Sequence, residues 1–125
     1  MKTDSGIYHL KIKVDSLKKI TVGRLGPLTF LPGCYIYTGR AKRGLQKRLD
    51  RHRRREKKLR WHIDYLLEFG RIDEIRVYPW SPEGECSLNG KIMRKRGARV
   101  MVPGFGSSDC TCSSHLVYFK KDPSL

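Results

Sequence analysis

The residues best equipped for chemistry in this 125-residue chain gather around one basic stretch. Between Arg40 and Arg60 stand twelve lysines and arginines against Asp50 and Glu56, so this segment carries +10 of the chain's formal +15. Like charges this close on a helix oppose folding by about 0.2–0.5 kcal/mol per pair, and a polyanion relieves that repulsion. Arg40, Lys42, Arg43, Lys47, Arg51, Arg54 and Arg55 are therefore the candidate nucleic-acid contacts. Arg48 and His52 are four residues apart, which puts both on one face of a helix. Tyr8 and Tyr37 are phenols, which titrate near pH 10 and act as bases only when a cation depresses them. Further along, Cys86, Cys110, Cys112 and His115 offer thiol and imidazole groups. Their C-x-C-x-x-H spacing is not a common zinc-knuckle spacing, so small buried thiols are the preferred reading and zinc the alternative.

The elements that must position these groups follow from periodicity. Leu10, Ile12 and Val14 alternate in a strand over 6–14, and Cys34 to Thr38 is an aromatic and β-branched strand that reads as central. Between them, Ile20-Thr21-Val22 and Leu28-Thr29-Phe30-Leu31 flank Gly26-Pro27 as a hairpin. From Ala41 the period changes: Ala41, Leu45, Leu49 and His52 mark one helix face. Leu59–Phe69 predicts a second helix ending at Gly70. A strand over 72–80, a glycine-weakened helix over 83–95 and a short last strand over 117–119 complete an α+β pattern.

With 38% hydrophobic residues in patterned clusters, the chain is long enough for one compact core and too short for several. No run approaches the ~20 apolar residues of a membrane span, and residues 1–8 have no leader-like apolar stretch. A cytoplasmic location with no membrane partner is the expectation. Cys110 and Cys112 are too close to pair readily, and nothing else suggests secretion.

Gly6-Ile7-Tyr8 and Tyr37-Thr38-Gly39 resemble the two signatures of the GIY-YIG nucleases. The resemblance runs on through Arg40-Ala41-Lys42 and Leu45-Gln46-Lys47-Arg48-Leu49, and over the whole chain it is to the archaeal-type DUF123, or Uri superfamily endonuclease, branch. Trp61 to Leu67, Glu85-Cys86 and Gly104 to Leu116 carry that wider match. It implies a single domain over 1–125, with a central sheet of about three strands flanked by helices and a hairpin inserted after the first strand. It also implies a metal-dependent endonuclease acting on DNA, in repair or recombination, with Mg²⁺ or Mn²⁺ as cofactor.

Hydrolysing a phosphodiester needs a base, a cation on the developing charge and usually a divalent metal. Arg48 is the candidate clamp, because a guanidinium can grip two phosphate oxygens. Tyr8 and Tyr37 are the candidate bases, in a field supplied by Arg40, Lys42 and Arg48, and His52 is the helper. The superfamily's metal ligand is a glutamate on the helix after the third strand. Glu85 is the candidate for it and Glu83 and Asp109 the alternatives, while Asn89 stands one turn further in. If the metal site is lost, the alternative is a non-catalytic nucleic-acid-binding module.

Overall fold

The computed structural model describes residues 4–54, 56–106, 112, 114–123 and 125; Arg55, Asp109 and Cys110, named above, lie outside the described residues. The chain runs β1 (Gly6–Val14), β2 (Lys18–Thr21), β3 (Pro27–Phe30), β4 (Gly33–Ala41), α1 (Leu45–Arg53), α2 (His62–Leu66), β5 (Arg71–Tyr78), α3 (Gly84–Met93) and β6 (Leu116–Phe119). One sheet has the order β5-β1-β4-β6, and every neighbouring pair is antiparallel. β2 and β3 pair only with each other, forming the expected hairpin between β1 and β4. The sheet is four strands wide instead of about three, because Leu116–Phe119, buried at all four positions, pairs along the outer side of β4.

The period of two in β1 sorts its side chains onto two layers. Tyr8, Leu10, Ile12 and Val14, with Tyr35 and Tyr37 from β4, face a core completed by Leu49 of α1, Ile63 and Leu66 of α2, and Phe30 of the hairpin. Cys34 and Ile36 of β4 face the opposite layer, where Ile92 of α3 packs with Val117 and Phe119 of β6. β4 is thus buried on both sides.

Two helices are shorter than their hydrophobic patterns suggest. Ala41 is the last residue of β4, and Gly44, at φ +63°, turns the chain before α1 begins at Leu45. Gly44 has no side chain with which to cap the helix, and remote Asp4 does so: its carbonyl accepts from Leu45 N (3.1 Å) and its carboxylate from Gln46 N (3.1 Å). A carboxylate there also suits the positive end of the helix dipole. α2 starts only at His62, because the N–H groups of Arg60 and Trp61 donate to the Asp64 carboxylate (both 2.9 Å).

Candidate functional site

The β1–β4 ladder sets Tyr8 opposite Gly39 and Leu10 opposite Tyr37, so both phenols project from the same face near one end of the sheet. Their ring centroids are 6.5 Å apart. Gly39 is required here by space: a Cβ would lie 2.5 Å from the Tyr8 ring, which crosses the strand at that point. A cavity of about 220 Å³ opens beside the pair. Its walls are Tyr8 and Tyr37, Arg40 at the end of β4, Arg48 of α1, Glu85 of α3, and Arg60, Trp61, His62, Gly106 and His115.

Arg48 is held from two sides. Its Nη1 donates to the carbonyl of Arg40, and its guanidinium lies over the Trp61 ring, 4.8 Å from the centroid. Arg51 stacks on the same ring at 4.3 Å, but its fork is already engaged. Nη1 and Nη2 donate to the two oxygens of Asp64 at 2.8 and 2.9 Å, and Nη2 also reaches the carbonyl of Lys58. Asp64 is 0% exposed. Burial alone would raise its pKa, yet Arg51 and the two backbone N–H groups outweigh that and hold it below the usual carboxylate range. Arg51, grouped above with the nucleic-acid contacts, is thus the partner of a buried carboxylate and ties α1 to α2.

His52 lies behind the cavity instead of in it. Its Nε2 and the Tyr8 hydroxyl are hydrogen-bonded at 2.7 Å, while its Nδ1 finds no partner among the described residues. Burial, reinforced by Lys57 and the neighbouring guanidiniums, brings its pKa down to about 3, so the imidazole is neutral. A bare lone pair is cheaper to bury than a bare N–H, so the favoured tautomer carries its hydrogen on Nε2 and donates to Tyr8. That leaves the Tyr8 O–H free to turn toward the cavity.

The expected depression of the phenols is not what the geometry produces. Burial raises the pKa of Tyr8 above the ordinary phenol value, and the opposing field of Arg48 does not offset it. Tyr37 is likewise pushed well above that value, by burial, by Tyr8 and by Glu85. Both are protonated at neutral pH. Arg48 is the cation whose field opposes that rise at both phenols.

Of the described candidate metal ligands, Glu85 and Glu83, the first lines the cavity. Its carboxylate stands 3.6 Å from Arg40 Nε and 3.5 Å from His115 Nδ1. Glu83 precedes α3 and is exposed, outside the lining. Asn89, one turn deeper, is buried: its Nδ2 donates to the carbonyl of Ser114 at 2.6 Å, and its Oδ1 is 3.4 Å from the Thr38 hydroxyl. It braces α3 against β4 and offers nothing to a cation. The cavity walls also include residues that spacing did not single out. His62 accepts a hydrogen bond from Gly106 N at 2.9 Å, and Trp61 carries the two guanidiniums. The lone tryptophan at the end of a basic run was the signal available.

The family model described as "Domain of unknown function DUF123" matches residues 7–125. The chain belongs to the DUF123 family. No curated protein and no solved structure matches it. In this DUF123 chain Lys42, Arg43, Lys47 and Arg54 are exposed, and Arg40 is half-exposed beside the cavity. Lys57 turns inward and donates to the carbonyls of Arg51 (3.1 Å) and His52 (2.9 Å), closing the C-terminus of α1. Among the described residues no helix is long and apolar enough to cross a membrane.

Proposed function

We propose that this DUF123 chain is a metal-dependent endonuclease that hydrolyses phosphodiester bonds of DNA. The observation that carries the reading is the convergence of Tyr8, Tyr37, Arg48 and Glu85, from four elements, on one cavity beside an exposed basic helix. Resemblance to the GIY-YIG nucleases supports the same reading, and a role in repair or recombination is proposed on that resemblance alone.

Arg48 is oriented by Arg40 and Trp61 and presents a guanidinium to the phosphate oxygens, where negative charge develops as the bond breaks. Tyr8, fixed by His52, holds its proton and donates it in a hydrogen bond to a phosphate oxygen or an attacking water. The phenol is held high and the imidazole low, so no proton passes between them at rest. His52 is a positioning residue. Magnesium and manganese bind through one or two carboxylates and complete their shell with water and substrate phosphate, so Glu85 and an open cavity fit that requirement. Such an ion, when bound, polarises the phosphate and acidifies its water. Lys42, Arg43, Lys47 and Arg54 hold the flanking backbone without reading sequence.

The test is cleavage of single-stranded, duplex, flapped and four-way-branched DNA with Mg²⁺, Mn²⁺ or EDTA. Wild type is expected to nick at least one substrate only with metal. Arg48→Ala is expected to lose about 100- to 1000-fold in rate while still binding, and Glu85→Gln to lose its metal response. Tight, salt-sensitive binding without cutting on any substrate would overturn the nuclease reading and leave a nucleic-acid-binding module.

A further inference from the structure

We propose that Cys86, Cys112 and His115 bind a zinc ion that clamps the chain before β6 onto the first turn of α3. The ligand atoms of these residues all lie within 4.8 Å of one another, although Cys86 is far from the other two in sequence. A tetrahedral zinc with bonds of about 2.0–2.3 Å holds its ligands about 3.3–3.8 Å apart. Side-chain rotation of about 1 Å therefore closes the set. The thiols are half-buried, not fully buried as expected from sequence, whereas the His115 imidazole is 1% exposed. The backbone around His115 is fixed on both sides: its N–H donates to Phe105 O at 2.8 Å, and its carbonyl accepts from Thr38 N at 3.0 Å.

The donor set decides the metal. Two thiolates and an imidazole are a borderline-soft site that suits zinc and discriminates against the oxygen-seeking Mg²⁺ and Ca²⁺. Two thiolates and Zn²⁺ sum to zero, so the ion adds no positive charge to a chain already at +15. The segment between Met93 and Leu116 also has need of a clamp. Among its described residues the only sheet pairing is the isolated bridge of Arg99 with Tyr118. Val102 and Phe105 anchor this segment in the core, and a structural metal would add folding free energy at its junction with α3.

His115 and Gly106 are cavity walls, so the zinc would fix one side of the site. Glu85, adjacent to Cys86, is not needed by the zinc and keeps its place on the cavity wall beside Arg40 and His115. The inference does not rest on the nuclease reading, because it is read from metal content alone.

The experiment uses the whole chain, purified without chelator. Elemental analysis is expected to find one zinc per chain, and Co²⁺ exchanged into the site is expected to show thiolate-to-metal charge-transfer absorption of two-thiolate strength. Alkylation mapped by mass spectrometry supplies a readout that needs no variant. Zinc is expected to slow modification of Cys86 and Cys112 by about tenfold or more relative to the EDTA-stripped protein, and to leave the rate at buried Cys34 unchanged. Cys86→Ser and Cys112→Ser should each lose the stoichiometric metal. Absence of zinc and of a Co²⁺ band, a Cys86–Cys112 disulfide, or protection that spares Cys86 would each overturn the proposal.

Discussion

Replacing Arg51 separates its two readings, as a contact for nucleic acid and as the partner of Asp64. Its guanidinium meets Asp64 through two bonds of 2.8 and 2.9 Å, with side-chain exposures of 17% and 0%. At an effective dielectric constant of about 20 and charge centres roughly 4 Å apart, that attraction is about 4 kcal/mol. Asp64→Ala leaves a guanidinium that reaches water, which points to a loss of about 3 kcal/mol. Arg51→Ala strands a carboxylate with only two backbone donors, which points to about 4–5 kcal/mol. Melting temperature should then fall by about 3–5 °C per kcal/mol for a chain of this size.

The double variant has no carboxylate to strand and should lose only about as much as Asp64→Ala alone, giving a coupling of about 4–5 kcal/mol by urea titration. The pH response should change sign as well. In wild type Asp64 is held below its ordinary value, so its stabilisation is present above the unfolded carboxyl pKa and is lost as pH falls through the folded one. In Arg51→Ala burial dominates and the folded pKa rises, so stability is instead lost as pH rises through it. In a DNA-binding titration Arg54→Ala should reduce the log–log salt slope by about 0.9, and Arg51→Ala should leave it unchanged. Additive single losses, or an Arg51→Ala cost no larger than that of Arg54→Ala, would refute the reasoning.

Three further outcomes are expected. His52 has a folded pKa of about 3 against 6.5 unfolded, so its contribution is complete above pH 6.5 and declines below it by about 1.4 kcal/mol per pH unit. His52→Gln should remove its share of that decline in urea titrations across pH 4–7, leaving the comparable slope from His9, whose pKa burial lowers to about 4, and the part from His62, which burial also lowers; an unchanged slope counts against the assignment. Gly39→Ala drives a methyl into the Tyr8 ring and should cost about 1–3 kcal/mol by thermal melting. Gly90→Ala, inside α3 and close only to the flexible end of Arg94, should gain about 0.5–1 kcal/mol.

Local periodicity was enough for β1, β4 and the last strand, which bury alternate or continuous apolar residues in one sheet, and the Gly26-Pro27 turn marked the hairpin although its strands are mostly exposed. It overextended α1 because Ala41 and Leu45 bury against the same core from two different elements, a spacing of four that mimics a helix face. It overextended α2 because the Asp64 carboxylate captures two backbone N–H groups, and nothing in a lone aspartate announces that. Tyr8, Tyr37 and Arg48 were legible through the motifs. That His62, Trp61 and His115 line the same cavity was not, although His115 stood among the candidate zinc ligands and Trp61 and His62 in the wider motif match, because their meeting depends on packing between segments remote in sequence. The raised phenol pKa values escaped for a related reason: a net charge is visible in composition, whereas desolvation exists only after folding.

Arg40 is where the two sides of the sheet meet. Its carbonyl accepts from Arg48, which belongs to the α1 layer, and its side chain reaches Glu85, which belongs to the α3 layer. The opening between Arg48 and Glu85 is therefore a seam whose width records how two helical layers seat on one strand. A slide of either layer by a fraction of an ångström would retune the gap while leaving each core intact. Selection acting on packing far from the cavity, at Ile92 or Leu49 for example, thus has a mechanical route to the spacing of the groups that face a substrate.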